Sequence, residues 1–210
     1  MKQFNLDEYL KNPSRKVVTR DGKNIMIAFK GFNNNLQCTM GKGTYQYEIG
    51  KTYKEDKAKC VASGFHCVEE PIEVLKWYPS GRWCMVEASG DIHEDGDERI
   101  ACTEMKIIKE LTKQELGMQE CVWLHTHPDR EYSRLIKRDS GEADKGDIVI
   151  VRGKNPKAAG RMDATIFLLK EEKRSRQIEK IGVYKIDGKD YMPNVFYTVT
   201  GREVKCKKTN

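Results

Sequence analysis

The chain has 210 residues, 38% hydrophobic and 33% charged, enough for one compact domain or two small ones. Its longest uncharged apolar runs, such as Ala164 to Leu169, fall far short of the roughly 20 residues of a membrane helix, and the opening MKQFNLDEYLKN lacks the apolar core of a signal peptide, so neither a membrane span nor ordinary secretion is expected. Lys and Arg number 38 against 32 Asp and Glu, and this net charge of +6 is spread along the chain; a nucleic-acid module, which clusters basic residues with stacking aromatics, is not expected.

Residues 1–24 read as an appendage. Asn5 can cap a short helix over Leu6 to Leu10, which Pro13 stops. In VVTRDGKNIMIAF, Asp21-Gly22 lies between two β-rich runs and signals a hairpin, because both turn positions tolerate positive φ. Residues 25–120 read as a mixed α+β domain with short helices. AFKGF is a strand end, TYQYEIGKTY a strand and turn, PIEVLKWY a helix with Pro71 in its first turn, and RWCMVEASG and RIACTEMKIIKEL two further strands. Ile72, Leu75 and either Trp77 or Tyr78 fall at helical spacing and are expected in the core. Thr112 to Glu115 forms a capping box that opens a short helix ending at Gly117.

Residues 121–146 read as an inserted connection, and 147–210 as a β-rich, antiparallel region in which DIVIV, ATIFLL, IGVYKI, VFYTV and REVKC are the strands. Asp187-Gly188 and Thr200-Gly201 are its tight turns. Gly146, Gly153 and Gly160 recur every seven residues, the spacing expected of a two-rung remnant of a β-roll, and such a roll raises the expectation of a homo-oligomer, a trimer in particular. The densest basic stretch, KEEKRSRQIEK from Lys170 to Lys180, reads as a solvated hairpin connection, with phosphate contact as the alternative. The seven cysteines include no CxxC, which suits free thiols in a reducing cytoplasm. Cys60 and Cys67 with His66 lack the paired knuckles of a structural zinc site.

The segments AFKGFNNNLQC, YQYEIGKTY, SGFHCVEEPIEVLKWYP, VEASGDI and MKIIKELT, in this order, resemble an uncharacterised domain family common in bacteriophage and prophage genomes of gut bacteria. GDIVIVRGKNPKAAG and VYKIDGKDYMPNVFYTVTGREV resemble the family's closing β segment, and the leader YLKNPSRKVVTRDG resembles a segment attached to other phage proteins. The resemblance covers most of residues 1–120 and 146–206. Many relatives carry several glycine-spaced repeats similar to the β-roll head of trimeric autotransporter adhesins. This chain departs by keeping at most two rungs and inserting CVWLHTHPDREYSRLIKRDSGEAD. The resemblance implies a phage-encoded protein acting in a bacterial cytoplasm; it supplies no activity.

Three functional readings stay open. The first is an accessory protein that binds a host protein or a small ligand, its mildly basic surface and aromatics such as Tyr45 and Tyr47 suiting an acidic partner. The second follows a loose resemblance of Phe29-Lys30-Gly31, Gly64-Phe65-His66, the helix carrying Tyr78 and the next strand to ADP-ribosyltransferase folds. That resemblance implies NAD, with Lys30, His66 and Glu104 as the catalytic positions, although the first motif has Lys-Gly in place of Arg or His-Gly. The third follows WLHTHPD, which resembles the His-x-His of JAMM metalloproteases and implies zinc held by His125, His127 and Asp144, with Glu87 or Glu104 as general base. A strand ending in His-x-His would send both imidazoles to one face and leave a position for a reactive water. The family's Ser-x-x-Asp is missing: Ser133 has Ile136 at that spacing, and Ser140 has Asp144 one residue too far. For His66 a backbone-bonded imidazole is the default, and for His93, within DIHEDGDE, a solvated acidic turn without calcium-loop spacing.

Overall fold

The computed structural model describes residues 18–20, 23–41, 43–96 and 99–204. The capped helix over Leu6 to Leu10, the Asp21-Gly22 turn and Cys206 lie outside the described residues. The chain divides between Trp123 and Leu124 into two compact units. No helix among the described residues is long and apolar enough to cross a membrane.

The N-terminal unit holds β1 (Val18–Arg20), β2 (Lys23–Phe32), β3 (Gln37–Cys38), β4 (Tyr45–Gln46), β5 (Thr52–Lys54), β6 (Phe65–Val68), β7 (Arg82–Glu94) and β8 (Arg99–Leu111). β1 pairs antiparallel with β2, Arg20 opposite Lys23. β2 pairs with β7, β7 with β8, β8 with β6, and β6 returns to β2 through Phe29 opposite Val68, so four antiparallel strands close into a ring. Period-two alternation fills it: Met26, Ala28 and Phe32 from β2, Phe65 and Cys67 from β6, Cys84, Val86 and Ala88 from β7, and Ile100 and Cys102 from β8 form one core. Tyr47 belongs to that core and is not exposed as expected, whereas Tyr45 is open to solvent.

PIEVLKWY forms a 3₁₀ turn at Pro71–Glu73 and then α1 (Val74–Trp77). Ile72 and Val74 are buried, Leu75 is half-buried and Trp77 is exposed, so the tight 3₁₀ start rotates the expected apolar face by about one position. The capping box forms as expected: the Glu115 amide donates to Thr112 Oγ1 at 3.1 Å and the Thr112 amide to Glu115 Oε2 at 2.9 Å. The helix it opens, α2 (Lys113–Thr126), runs through Gly117. A mid-helix glycine costs only about 1 kcal/mol against alanine, and burial of Leu116, Cys121, Val122 and Trp123 outweighs it.

The C-terminal unit holds β9 (Lys137–Ala143), β10 (Ile148–Gly160), β11 (Thr165–Glu171), β12 (Ile178–Lys185) and β13 (Tyr197–Thr198). The expected antiparallel region is a mixed sheet. β9 and β11 both pair parallel with β10, while β12 on β11 and β13 on β10 are antiparallel. Turns at 144–147 and 161–164 stack on each other, with the Arg161 amide donating to the Ala143 carbonyl and the Thr165 amide to that of Asp147. Parallel pairing is the form buried on both faces, and IVIV and TIFLL are accordingly continuous apolar runs. Val149, Val151, Ile166 and Leu168 face one core with Tyr197 and Val199. The three glycines at seven-residue spacing are not equivalent: Gly146 sits in a turn with φ of 69°, and Gly153 and Gly160 lie within β10. The turns at Asp187-Gly188 and Thr200-Gly201 form as expected, with φ of 72° and 74° at the glycines. Asp187 Oδ1 accepts from the amides of Lys189, Asp190 and Tyr191.

Candidate anion-binding site

Lys30 continues the inward row of β2, and a buried cation needs acceptors. Its ammonium donates to the His66 carbonyl at 2.6 Å and lies 5.6 Å from the Phe32 ring centroid and 5.4 Å from that of Tyr47. The His66 imidazole accepts from the Val61 amide at Nε2, 2.9 Å away, which is the backbone-bonded default. Burial, and then the charge of Lys30, hold its pKa below the usual histidine range. Glu104, on β8, pairs with Lys54 at 3.5 Å. The structure thus brings Lys30 and His66 together through the latter's backbone.

WLHTHPD is not the end of a strand. Its first four residues, Trp123 to Thr126, end α2 and His127 follows the helix, so the period-two geometry that would put both imidazoles on one face does not apply. The buried Nδ1 of His125 has no hydrogen-bond partner among the described residues, and His127 Nδ1 is 3.0 Å from Thr126 Oγ1. Asp144 is exposed, pairs with Arg161 at 3.4 Å and lines a small hollow with Glu142 and Asn194, to which neither histidine contributes. Glu87 lies on β7 opposite Lys106. Among the described residues no group of three or more His, Cys, Asp or Glu side chains is placed to hold a metal ion.

The most developed polar constellation lies in the C-terminal unit. The alternation of β10 and β11 sends Ile150, Phe167 and Leu169 to the face opposite Val151 and Leu168, and the same row carries Arg152 and Glu171. The Arg152 side chain is 0% exposed and that of Glu171 1%. Arg152 Nε donates to Glu171 Oε1 at 2.9 Å, and Arg138 of β9 closes a fork on the same carboxylate at 3.0 and 3.1 Å. Burial raises the Glu171 pKa, but the hydrogen bonds and charges of Arg152 and Arg138 outweigh it and hold the carboxyl below the usual range.

Above this pair opens a cleft of about 710 Å³ lined by Asp129, Arg138, Lys154, Glu171 and residues 173–176 of the β11–β12 hairpin. Two of its lining cations, Lys154 and Arg176, and the buried Arg152 beneath them are oriented by backbone carbonyls. Arg152 Nη2 donates to the carbonyls of Pro128 at 2.8 Å and Arg176 at 2.7 Å. Lys154 donates to those of Glu172 and Ser175, and Arg176 to those of Asp129 and Arg130. The Tyr132 ring lies 4.8 Å from the Arg152 guanidinium and 5.6 Å from that of Arg176. Neutral carbonyls fix a cation without cancelling its charge, so the cleft is both ordered and electropositive. Lys173 and Arg174 have no acidic partner among the described residues.

Within KEEKRSRQIEK only residues 172–177 form the expected hairpin connection: Lys170 and the buried Glu171 end β11, Ile178 to Lys180 begin β12, and residues 173–176 wall the cleft. Arg138, Arg152, Lys154 and Glu171 escape sequence reasoning because they come from three strands. The available signal was the interruption of VIVR and FLLKE by charged residues on an otherwise buried row. The WLHTHPDR segment contributes backbone acceptors here.

A second set of buried charges lies in the N-terminal unit, where Glu120 is 0% exposed and accepts from the Ile72 amide at 2.9 Å. Burial, and then the charge of neighbouring Glu70, push its carboxyl well above the usual range. A raised pKa means that stability present in acid is lost as pH rises past the ordinary carboxylate range. Glu120→Gln keeps the acceptor and removes the titration. It is expected to raise the melting temperature at pH 8 by a few degrees, roughly 1 kcal/mol, and to converge with the wild type near pH 4. Equal melting temperatures across that range would show that Glu120 does not titrate.

The fold and cleft define a mostly β protein with an electropositive ligand-sized hollow. Residues 26–119 match the profile of a domain of unknown function (DUF7666), so a domain without an assigned role accounts for most of the N-terminal unit, and the cleft lies outside the match. No curated protein and no solved structure matches the chain.

Proposed function

We propose that this chain is a binding protein and not an enzyme, and that it takes a small anionic ligand in the cleft of its C-terminal unit. The observation that carries the reading is the lining itself: five cations against two carboxylates, in a hollow of about 710 Å³, within the usual size range of small-molecule sites. The transferase reading is less well supported, because the Lys30 ammonium is enclosed by the His66 carbonyl and two aromatic rings. The hydrolase reading would need Asp144 to join the two histidines, whereas it faces solvent beside Arg161. The family resemblance supports a phage-encoded accessory protein acting in a bacterial cytoplasm, with the ligand or a host protein as its partner. The stacked parallel turns of β9, β10 and β11 favour keeping the β-roll and homotrimer reading, which light scattering tests.

Calorimetry on the full chain with phosphate, pyrophosphate, citrate and an oligoglutamate peptide, at about 50 mM salt to limit screening, tests the site. At least one anion is expected to bind saturably, and Lys173→Glu with Arg174→Glu to weaken it tenfold or more. Absence of binding by all four would sink the proposal.

A further inference from the structure

We infer that the ligand of this cleft is a small molecule carrying two or more phosphoryl groups, an inference that rests on the anion-site reading above. Charge is the first argument. The lining leaves a surplus of three positive charges, from Arg138, Lys154, Lys173, Arg174 and Arg176 against Asp129 and Glu171, and the buried Arg152 paired to Glu171 adds a fourth. A single phosphoryl group carries about −1.5 to −2 at pH 7 and leaves part of that surplus unmatched, whereas two neutralise it.

Donor geometry is the second. The carboxylate that best suits a planar fork is already in place, since Glu171 occupies two donors of Arg138 and the Nε of Arg152. The other cations reach the cleft from separate places, Lys154 from β10 and Lys173, Arg174 and Arg176 from the hairpin. Cations supplied by two strands and the hairpin, in place of one free planar fork, suit tetrahedral groups with three acceptor oxygens each, where lysines act as point charges and arginines as forks.

Preorganisation is the third. Lys154 and Arg176 are held by carbonyls on the loops that wall the cleft, so these two cations need little side-chain ordering when an anion arrives. The volume, about 710 Å³, exceeds what an isolated phosphate or diphosphate ion would fill and leaves room for an organic body.

The experiment is competitive calorimetry on the full chain with ADP, AMP, adenosine, inorganic phosphate, pyrophosphate and citrate, with a single-stranded oligonucleotide as a further arm. ADP or pyrophosphate is expected to bind at least tenfold more tightly than AMP, phosphate or citrate, and adenosine not at all. Preference for ADP over pyrophosphate assigns the source to an organic diphosphate, and the reverse to an inorganic one. Lys173→Glu with Arg174→Glu, both exposed, is expected to cut ADP or pyrophosphate affinity tenfold or more at an unchanged melting temperature. Citrate binding as tightly as pyrophosphate would overturn the phosphoryl inference and leave the anion site standing. Binding by none of the small anions would overturn both, and an oligonucleotide binding tenfold above ADP and pyrophosphate would overturn it in favour of nucleic acid.

Discussion

Glu171→Ala is expected to destabilise the C-terminal unit by about 3–5 kcal/mol, because it leaves the fully buried Arg152 guanidinium without its counter-charge. The carboxylate also accepts from Arg138 and has Lys154 at 3.7 Å, so a single deletion releases three cations toward one another. Arg152→Met with Glu171→Leu removes both buried charges and is expected to recover most of the loss, as apolar replacement of a buried pair often does. The three tryptophans, Trp77, Trp83 and Trp123, all lie in the N-terminal unit, so the change should be followed by circular dichroism or amide exchange in the C-terminal strands. The carboxyl is held below the usual range, so its contribution is present above the ordinary carboxylate pKa and is lost as pH falls below it. Wild type should therefore lose stability on acidification by a component that Glu171→Ala lacks. A loss under 1 kcal/mol at pH 7 would mean that the Pro128 and Arg176 carbonyls suffice to hold Arg152.

Phe32→Ala should cost the N-terminal unit about 3–5 kcal/mol, the usual range for truncating a buried aromatic. Its ring is 0% exposed, packs 5.1 Å from the Tyr47 ring and forms part of the enclosure of the Lys30 ammonium. The variant therefore loses transfer energy, leaves a cavity and strips one ring from a buried cation. Urea denaturation followed by tryptophan fluorescence reads it directly, as a lower midpoint at unchanged slope. Lys30→Met provides the contrast: exchange of the cation for an apolar chain of similar length is expected within about 1 kcal/mol of wild type. A larger loss for Lys30→Met than for Phe32→Ala would make the ammonium, and not the aromatic packing, the centre of this core.

Much of the local structure was legible. β2, β7 and β8 follow from alternation, and the capping box placed the start of α2 because Thr112 and Glu115 satisfy each other's amides without outside help. The far end of α2 was not legible, since Gly117 reads as a stop until the burial of Leu116, Val122 and Trp123 is known. That extension also turned His125 from a strand residue into a helix end. The strand segments of the C-terminal unit were visible as apolar runs, but their direction of pairing was not. An apolar strand carries no label for its neighbour, and only the stacked turns at 144–147 and 161–164 make β9, β10 and β11 parallel.

The candidate site shows the same division. By itself the sequence determined a chain with mild positive charge, strand-forming alternation, cysteines without a CxxC pair and a basic stretch between two apolar runs, because each is a property of composition or of residues a few positions apart. Tertiary structure decided that Arg138, Arg152, Lys154 and Glu171 meet, and that the hairpin's cations line a cleft beside them. The physical reason is that a buried charge acquires its meaning from partners remote in sequence. The 33 positions from Arg138 to Glu171 are closed only by the parallel ladder that buries both faces of β10 and β11.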